Sequence, residues 1–299
     1  MDTARSLSRI SLRKPAAIAS SLLAFLASPV LAVAAPATDI KHVHEQALAT
    51  AVPAAGHQSR IALADSIIKL VQEGVIDPQK IEALYTRRGR PVSAETTDLM
   101  TKPSPRPIFL TRENAAIHVN LLWALGLANR MAVNSESPLN GPQLSRFAST
   151  GGWTLGREAN GGVYFNKFPI VALTATQEAL VFRIAMSTFR PCCNNSTFFQ
   201  DCNHGSALLG LLALGAAQGL NEDELYRETL AFNSFWFPHH YAHTALYFKA
   251  ARGTEWQDAD PRQVMSAEFS SGSGWQANVS SELQRRGLMP EQGGANCDV

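Results

Sequence analysis

Cys192, Cys193, Cys202 and His204 fall within thirteen residues and include three of the four cysteines in this chain of 299. Cys and His side chains ligate soft metals, exchange disulfides and act as nucleophiles. Chemistry is therefore expected in the stretch from Cys192 to Gly205, which reads CCNNSTFFQDCNHG. Three readings stand side by side. As a metal site, Cys192 or Cys193, Cys202, His204 and the distant Cys297 offer three sulfurs and a nitrogen, a set for zinc, copper or iron. The stretch has no Cys-x-x-Cys and matches no standard zinc ribbon or finger spacing. As a brace, an even number of cysteines in an exported chain makes disulfides, and a bridge from Cys297 would tie the C-terminal tail to the loop of a non-catalytic binding or structural domain. As a catalyst, Cys202 and His204 form a thiol–imidazole pair. The vicinal Cys192-Cys193 would add a strained, easily reduced bridge suited to thiol–disulfide exchange.

The flanks decide how such a site is held. Pro191 stops the preceding helix. Asp201 is the expected N-cap of an apolar helix running to about Gln218, which puts Cys202 near its first position and His204 near its third. Unpaired N–H groups and the dipole at that end lower a thiol pKa. Leu208, Leu209, Leu211, Leu212 and Leu214 make this helix apolar almost all round, so it belongs at the centre. Each buried Leu contributes ~1.5–3 kcal/mol.

Asp201-Cys202 before an Ala/Leu-rich helix, then His243-Thr244-Ala245-Leu246-Tyr247-Phe248, then Asp260-Pro261, follow the Cys, His, Asp order of papain-like enzymes. Over about a quarter of the chain this resembles the bacteriocin-processing cysteine peptidase domains. The resemblance implies a nucleophilic Cys202 with His243 as its partner. It departs in that Gln200 stands only two residues before Cys202, and in that the His243 region reads as helix where that family has strands.

Two further groups have a functional and a bland reading. With Pro238 in the first helical turn, His239 and His243 stand at i and i+4 and are able to share a metal. Phe235, Trp236, Phe237 and Tyr241 around them favour an aromatic-packed helix start instead. Gly151-Gly152-Trp153-Thr154-Leu155-Gly156-Arg157 has the makings of an anion loop, but its spacing is not that of a phosphate-binding fingerprint. A turn anchored by Trp153 is the favoured reading.

The elements that must position these residues are helices. Apolar spacing over 59–75, an Asp77-Pro78 start, a run from Thr111 through Leu127, a Thr174–Gln177 capping box, Asn221, Pro238 and Asp260-Pro261 mark them in order. Gly162-Val163-Tyr164-Phe165 is a candidate short strand. The expected fold is mainly α: a compact multi-helix array with a long irregular Gly/Asn/Ser-rich insertion over 134–172 and little or no β. Prolines at 91, 103, 105 and 107 make 88–110 the linker candidate. It would divide an N-terminal helical segment, 35–110, from a main helical domain, 111–299.

Residues 1–34 read as a cleaved signal peptide. Arg5, Arg9, Arg13 and Lys14 precede an apolar run from Ala16 to Leu31, and Ala32-Val33-Ala34 is a small-x-small cleavage pattern. A periplasmic or secreted protein follows from that reading. The full chain has a formal charge of +1, and removing 1–34 brings it to −2. Near-neutral charge argues against a nucleic-acid partner. No mature segment has the length of a membrane span. Neither a specific partner nor an enzymatic activity follows from the composition.

Overall fold

The computed structural model describes residues 37–289. The signal-peptide reading of 1–34 and the role of Cys297 both lie outside the described residues. In chain order the elements are α1 (Ala37–Ala51), β1 (His57–Ala64), α2 (Ser66–Gln72), α3 (Pro78–Arg87), α4 (Ala94–Thr101), β2 (Ser104–Leu110) and α5 (Ala115–Ala128). After a loop region with three short 3-10 turns come α6 (Ala175–Ser187), α7 (Asn203–Ala217), α8 (Glu222–Trp236) and α9 (Pro238–Arg252). The described residues end with α10 (Pro261–Val264), α11 (Ala267–Ser270), α12 (Gly272–Trp275) and α13 (Ser281–Arg285). The fold is mainly α, with one two-stranded sheet among the described residues.

α7 is the central element, as its all-round apolar sequence requires. Every residue from His204 to Ala216 is buried. Its main neighbour is α5, and two glycines set their closeness. A Cβ on Gly126 would fall 1.8 Å from the Ser206 carbonyl oxygen, and one on Gly210 would fall 2.4 Å from that of Leu122. The two backbones therefore touch where side chains would normally separate them. The N-terminus of α7, which carries the cysteine site, is thereby fixed to the core.

Several caps match the sequence reading. Asp77 accepts from the N–H groups of Gln79 and Lys80. Thr174 with Gln177, and Asn221 with Glu224, make reciprocal capping boxes. Trp153 is the packing anchor of the glycine-rich turn, fully buried with its indole N–H donated to the Val75 carbonyl at 2.8 Å.

Other expectations are corrected. The helical spacing over 59–75 conceals a strand, β1, followed by the short α2. Ala64 takes a left-handed φ of 51° and turns the chain between them. β1 is extended because its neighbours supply its hydrogen bonds. The Gln218 side chain at the end of α7 accepts from Ala62 N at 2.9 Å and donates to Ala62 O at 2.8 Å. Tertiary contacts here override the local pattern. The proline-spaced stretch 88–110 holds α4, capped by Ser93, and β2, which pairs antiparallel with β1. The register slips between the paired positions, as expected where Pro105 and Pro107 cannot donate to a ladder. Residues 161–164 form a 3-10 turn rather than a strand, capped by the Asn160 side chain. α5 begins at Ala115 with Asn114 at its cap, because Thr111 and Asn114 close a reciprocal turn just before it.

Candidate metal centre

The site is assembled around a buried cation. α6 ends at Ser187, and Arg190, three residues on, turns inward and is fully buried. A guanidinium has five N–H donors in a fixed plane, and here each side of it is used. Nε donates to Cys202 Sγ at 3.1 Å. Nη1 donates to the carbonyls of Asn195 and Ser196, both at 2.8 Å. Nη2 donates to the Phe199 carbonyl at 3.2 Å and to the Asp201 carboxylate. The other carboxylate oxygen of Asp201 accepts from the Asn195 amide at 2.8 Å. The loop 191–202 is thus folded over one side chain.

This changes the expected cap. Asp201 is committed to Arg190, so Cys202 is the N-cap of α7 and its sulfur accepts from Gly205 N at 3.4 Å. A buried guanidinium needs a carboxylate more than a helix end does. Gly205 is part of the same design: a Cβ there would sit 2.6 Å from Arg190 Nη2. Beyond the loop, Gly272 N donates to the Cys193 carbonyl at 2.9 Å and Ser273 N to the Asn194 side chain at 2.8 Å. The start of α12 therefore holds the loop from the far side.

The result is three sulfurs in one place. Cys192 Sγ lies 3.5 Å from Cys193 Sγ and 3.6 Å from Cys202 Sγ. All three lie within 4.8 Å of one another and could hold one metal ion. No two described cysteines are at bonding distance, so the disulfide brace is not formed among them.

The three thiols are electrostatically unequal. Hydrogen bonds from Cys192 and Cys193 hold Cys202 well below the ordinary thiol range. His204 and the Arg190 charge add to this, against the opposing effect of burial. Cys192 is driven up by its hydrogen bonds to both other sulfurs and then by burial. Cys193 is drawn down by Cys192, but Cys202 and burial outweigh that and push it up to about 12. The cluster is best described as a Cys202 thiolate with the Cys192 thiol 3.6 Å away, the Cys193 thiol next to Cys192, and a guanidinium beside the thiolate.

His204 is placed next to this cluster but outside the three-sulfur group. Its ring packs on Phe237, with centroids 4.4 Å apart, and its Nε2 is buried without a hydrogen-bond partner. His243, the partner implied by the peptidase resemblance, is engaged elsewhere. Its Nε2 meets His44 Nδ1 at 3.1 Å, and its ring stacks on Trp275. The partners of Cys202 are Arg190, Gly205 and Cys192, so the structure corrects that implied dyad. His239 is exposed and His240 packs on Trp275, as the aromatic-packed reading expects.

A cleft of about 550 Å³ opens elsewhere, between α8 and the segment 256–262. Its polar walls are largely self-paired, Arg262 with Asp223 and His57 with Glu228. It holds none of the reactive sulfurs, and the chemistry of the cysteines outweighs its size. Arg190, Asn195 and Gly205 are the site residues that sequence reasoning missed. One signal was available: Arg190 and Asp201 are the only charged residues between Thr188 and His204, they are opposite in sign, and they bracket the loop. No family model, curated protein or solved structure matches the chain, so the site stands on its own residues.

Proposed function

We propose that this is an exported helical protein that binds a soft transition-metal ion, of the zinc, copper or iron class, through Cys192, Cys193 and Cys202. The observation that carries this reading is the sulfur spacing. Sulfurs bound to one zinc ion at ~2.3 Å in tetrahedral geometry lie ~3.8 Å apart. The distances of 3.5 and 3.6 Å in the cluster are close to that. Sulfur donors favour soft ions over calcium or magnesium. N–H groups from Arg190 and Gly205 on the Cys202 sulfur are the outer partners that steady a thiolate ligand. Arg190 also offsets part of the thiolate charge. His204 and Cys297 are the candidates for a fourth donor. Export rests on the reading of residues 1–34 and provides the route by which the chain would meet its metal outside the cytoplasm.

The test is metal titration of reduced protein purified from the periplasm or medium. Cobalt(II) serves as the optical probe, and zinc(II) and copper(I) as competitors. One ion per chain is expected, with intense sulfur-to-cobalt charge-transfer absorption that disappears in Cys192→Ser, Cys193→Ser and Cys202→Ser. Absence of that absorption in the parent chain would refute the reading. A mature N-terminus other than one near Ala35 would refute the cleavage-site reading.

A further inference from the structure

We infer that the same cluster is a redox-gated site, in which oxidation joins Cys192 to Cys202 and leaves Cys193 as a free thiol. This rests on the three-sulfur reading above and adds its regulation. Cys192 is the shared neighbour, 3.5 Å from Cys193 Sγ and 3.6 Å from Cys202 Sγ. Sulfur separation alone does not choose between the two bridges, but backbone geometry does. Sequence neighbours have Cα atoms ~3.8 Å apart. Disulfides usually need ~4.4–6.8 Å, so a bridge between Cys192 and Cys193 would distort the peptide that joins them. Cys192 and Cys202 stand at opposite ends of the loop and carry no such restriction.

The loop is already closed in the reduced protein. Arg190 ties Asn195, Ser196, Phe199 and Asp201 to one plane of donors. Bridge formation therefore asks the sulfurs to close the remaining gap without collapsing a free segment. Cys193 has a different anchor, its carbonyl accepting from Gly272 N at 2.9 Å, and the sulfur at hydrogen-bond distance from its own is that of Cys192 and not that of Cys202. None of the three cysteine residues is fully buried.

The oxidant we invoke is a low-molecular-weight disulfide of the oxidised-glutathione class. The sulfur of one protein thiol attacks it, its S–S bond breaks, and one thiolate leaves. The second protein thiol then attacks the mixed disulfide at the protein sulfur, and the second small thiolate leaves. Two protein thiols are oxidised, one small disulfide is reduced to two thiols, and the two protons lost by the cysteines are taken up by the leaving groups. A bridged Cys192 and Cys202 can no longer ligate as thiolates. Oxidation therefore discharges the ion, and a bound ion protects the thiols.

The test treats the reduced full-length chain with oxidised glutathione, alkylates it, and maps the bridge by peptide mass spectrometry. A Cys192–Cys202 bridge with alkylated Cys193 is expected. Cys193→Ser should keep the bridge, and Cys192→Ser and Cys202→Ser should stop at the mixed disulfide. With zinc(II) at ten times its dissociation constant, oxidation should slow about tenfold. A Cys192–Cys193 bridge, a Cys193–Cys202 bridge, or no bridge would overturn the inference while leaving metal binding to stand. A Cys192–Cys202 bridge in a chain that binds no ion would support the crosslink, overturn its gating role and refute the metal reading.

Discussion

Arg190 is the residue on which the site depends most. It is fully buried, and its partners are the Cys202 sulfur, a carboxylate and three carbonyls. Removing one partner of a buried ion pair strands the other at a cost of ~3–5 kcal/mol. Arg190→Met should therefore lower the melting temperature by ~2–4 °C per kcal/mol, as seen by calorimetry. Arg190→Lys should recover little of it, because an ammonium cannot reproduce a planar five-donor fork. Gly205→Ala should act on the same contact, displacing the guanidinium at a cost of ~1–3 kcal/mol and weakening metal binding in the same titration. The thiols set a pH dependence. Cys192 and Cys193 are held above the ordinary thiol range, so each must lose a proton to become a ligand. Metal affinity should rise with pH through the neutral range, and competition titrations at several pH values should show that slope. The cysteines and their neighbourhood were legible in the sequence because their side chains are reactive wherever they stand. Arg190 was not, because an arginine before a proline reads as solvent-facing until the chain is seen to fold over it.

At the scale of elements, the contact between α5 and α7 positions everything else. Gly126 and Gly210 let the helices meet backbone to backbone. Gly210→Ala should force them apart and cost ~1–3 kcal/mol, read as a shifted urea midpoint with an unchanged slope. A second set of elements responds to acid. Burial, then the charges of neighbouring histidines, lowers His243 to about 3, and burial with His239 lowers His240 to about 4. In the unfolded chain both take up protons near the ordinary value of 6.5. The unfolded state binds more protons across that window, so this part of the stability is complete above it and is lost as pH falls toward 3. Glu228 adds a second loss. Burial would raise its carboxyl, but hydrogen bonds from His57, Ser59 and Arg60 N hold it below its ordinary 4.5. It stabilises above that value, and the contribution fades as the pH drops through its depressed pKa. Urea midpoints of the parent and His243→Gln, compared at about pH 7 and about pH 4.5, should show a smaller acid loss in the variant. Helices with caps at their starts were readable from sequence, because a cap and its partner lie three residues apart. β1 was not, because its hydrogen bonds come from β2, Gln218 and Glu228, all distant along the chain.

For the whole molecule, the described residues form a mainly helical body in which no helix is long and apolar enough to cross a membrane. The loop is held by Arg190 on one side and by the start of α12 on the other. Metal binding is therefore expected to be separable from folding. A chelator should leave the helical circular dichroism intact, unlike the unfolding seen when metal leaves a classical zinc finger. Saturating metal should still raise the melting temperature by mass action, ~2.7 kcal/mol at a hundred times the dissociation constant. In the proposed site Cys192, Cys193 and Cys202 share one ion. X-ray absorption at the metal edge of the zinc-loaded full chain tests it most directly. At least three sulfur neighbours at ~2.3 Å are expected. A first shell made only of nitrogen and oxygen would contradict it.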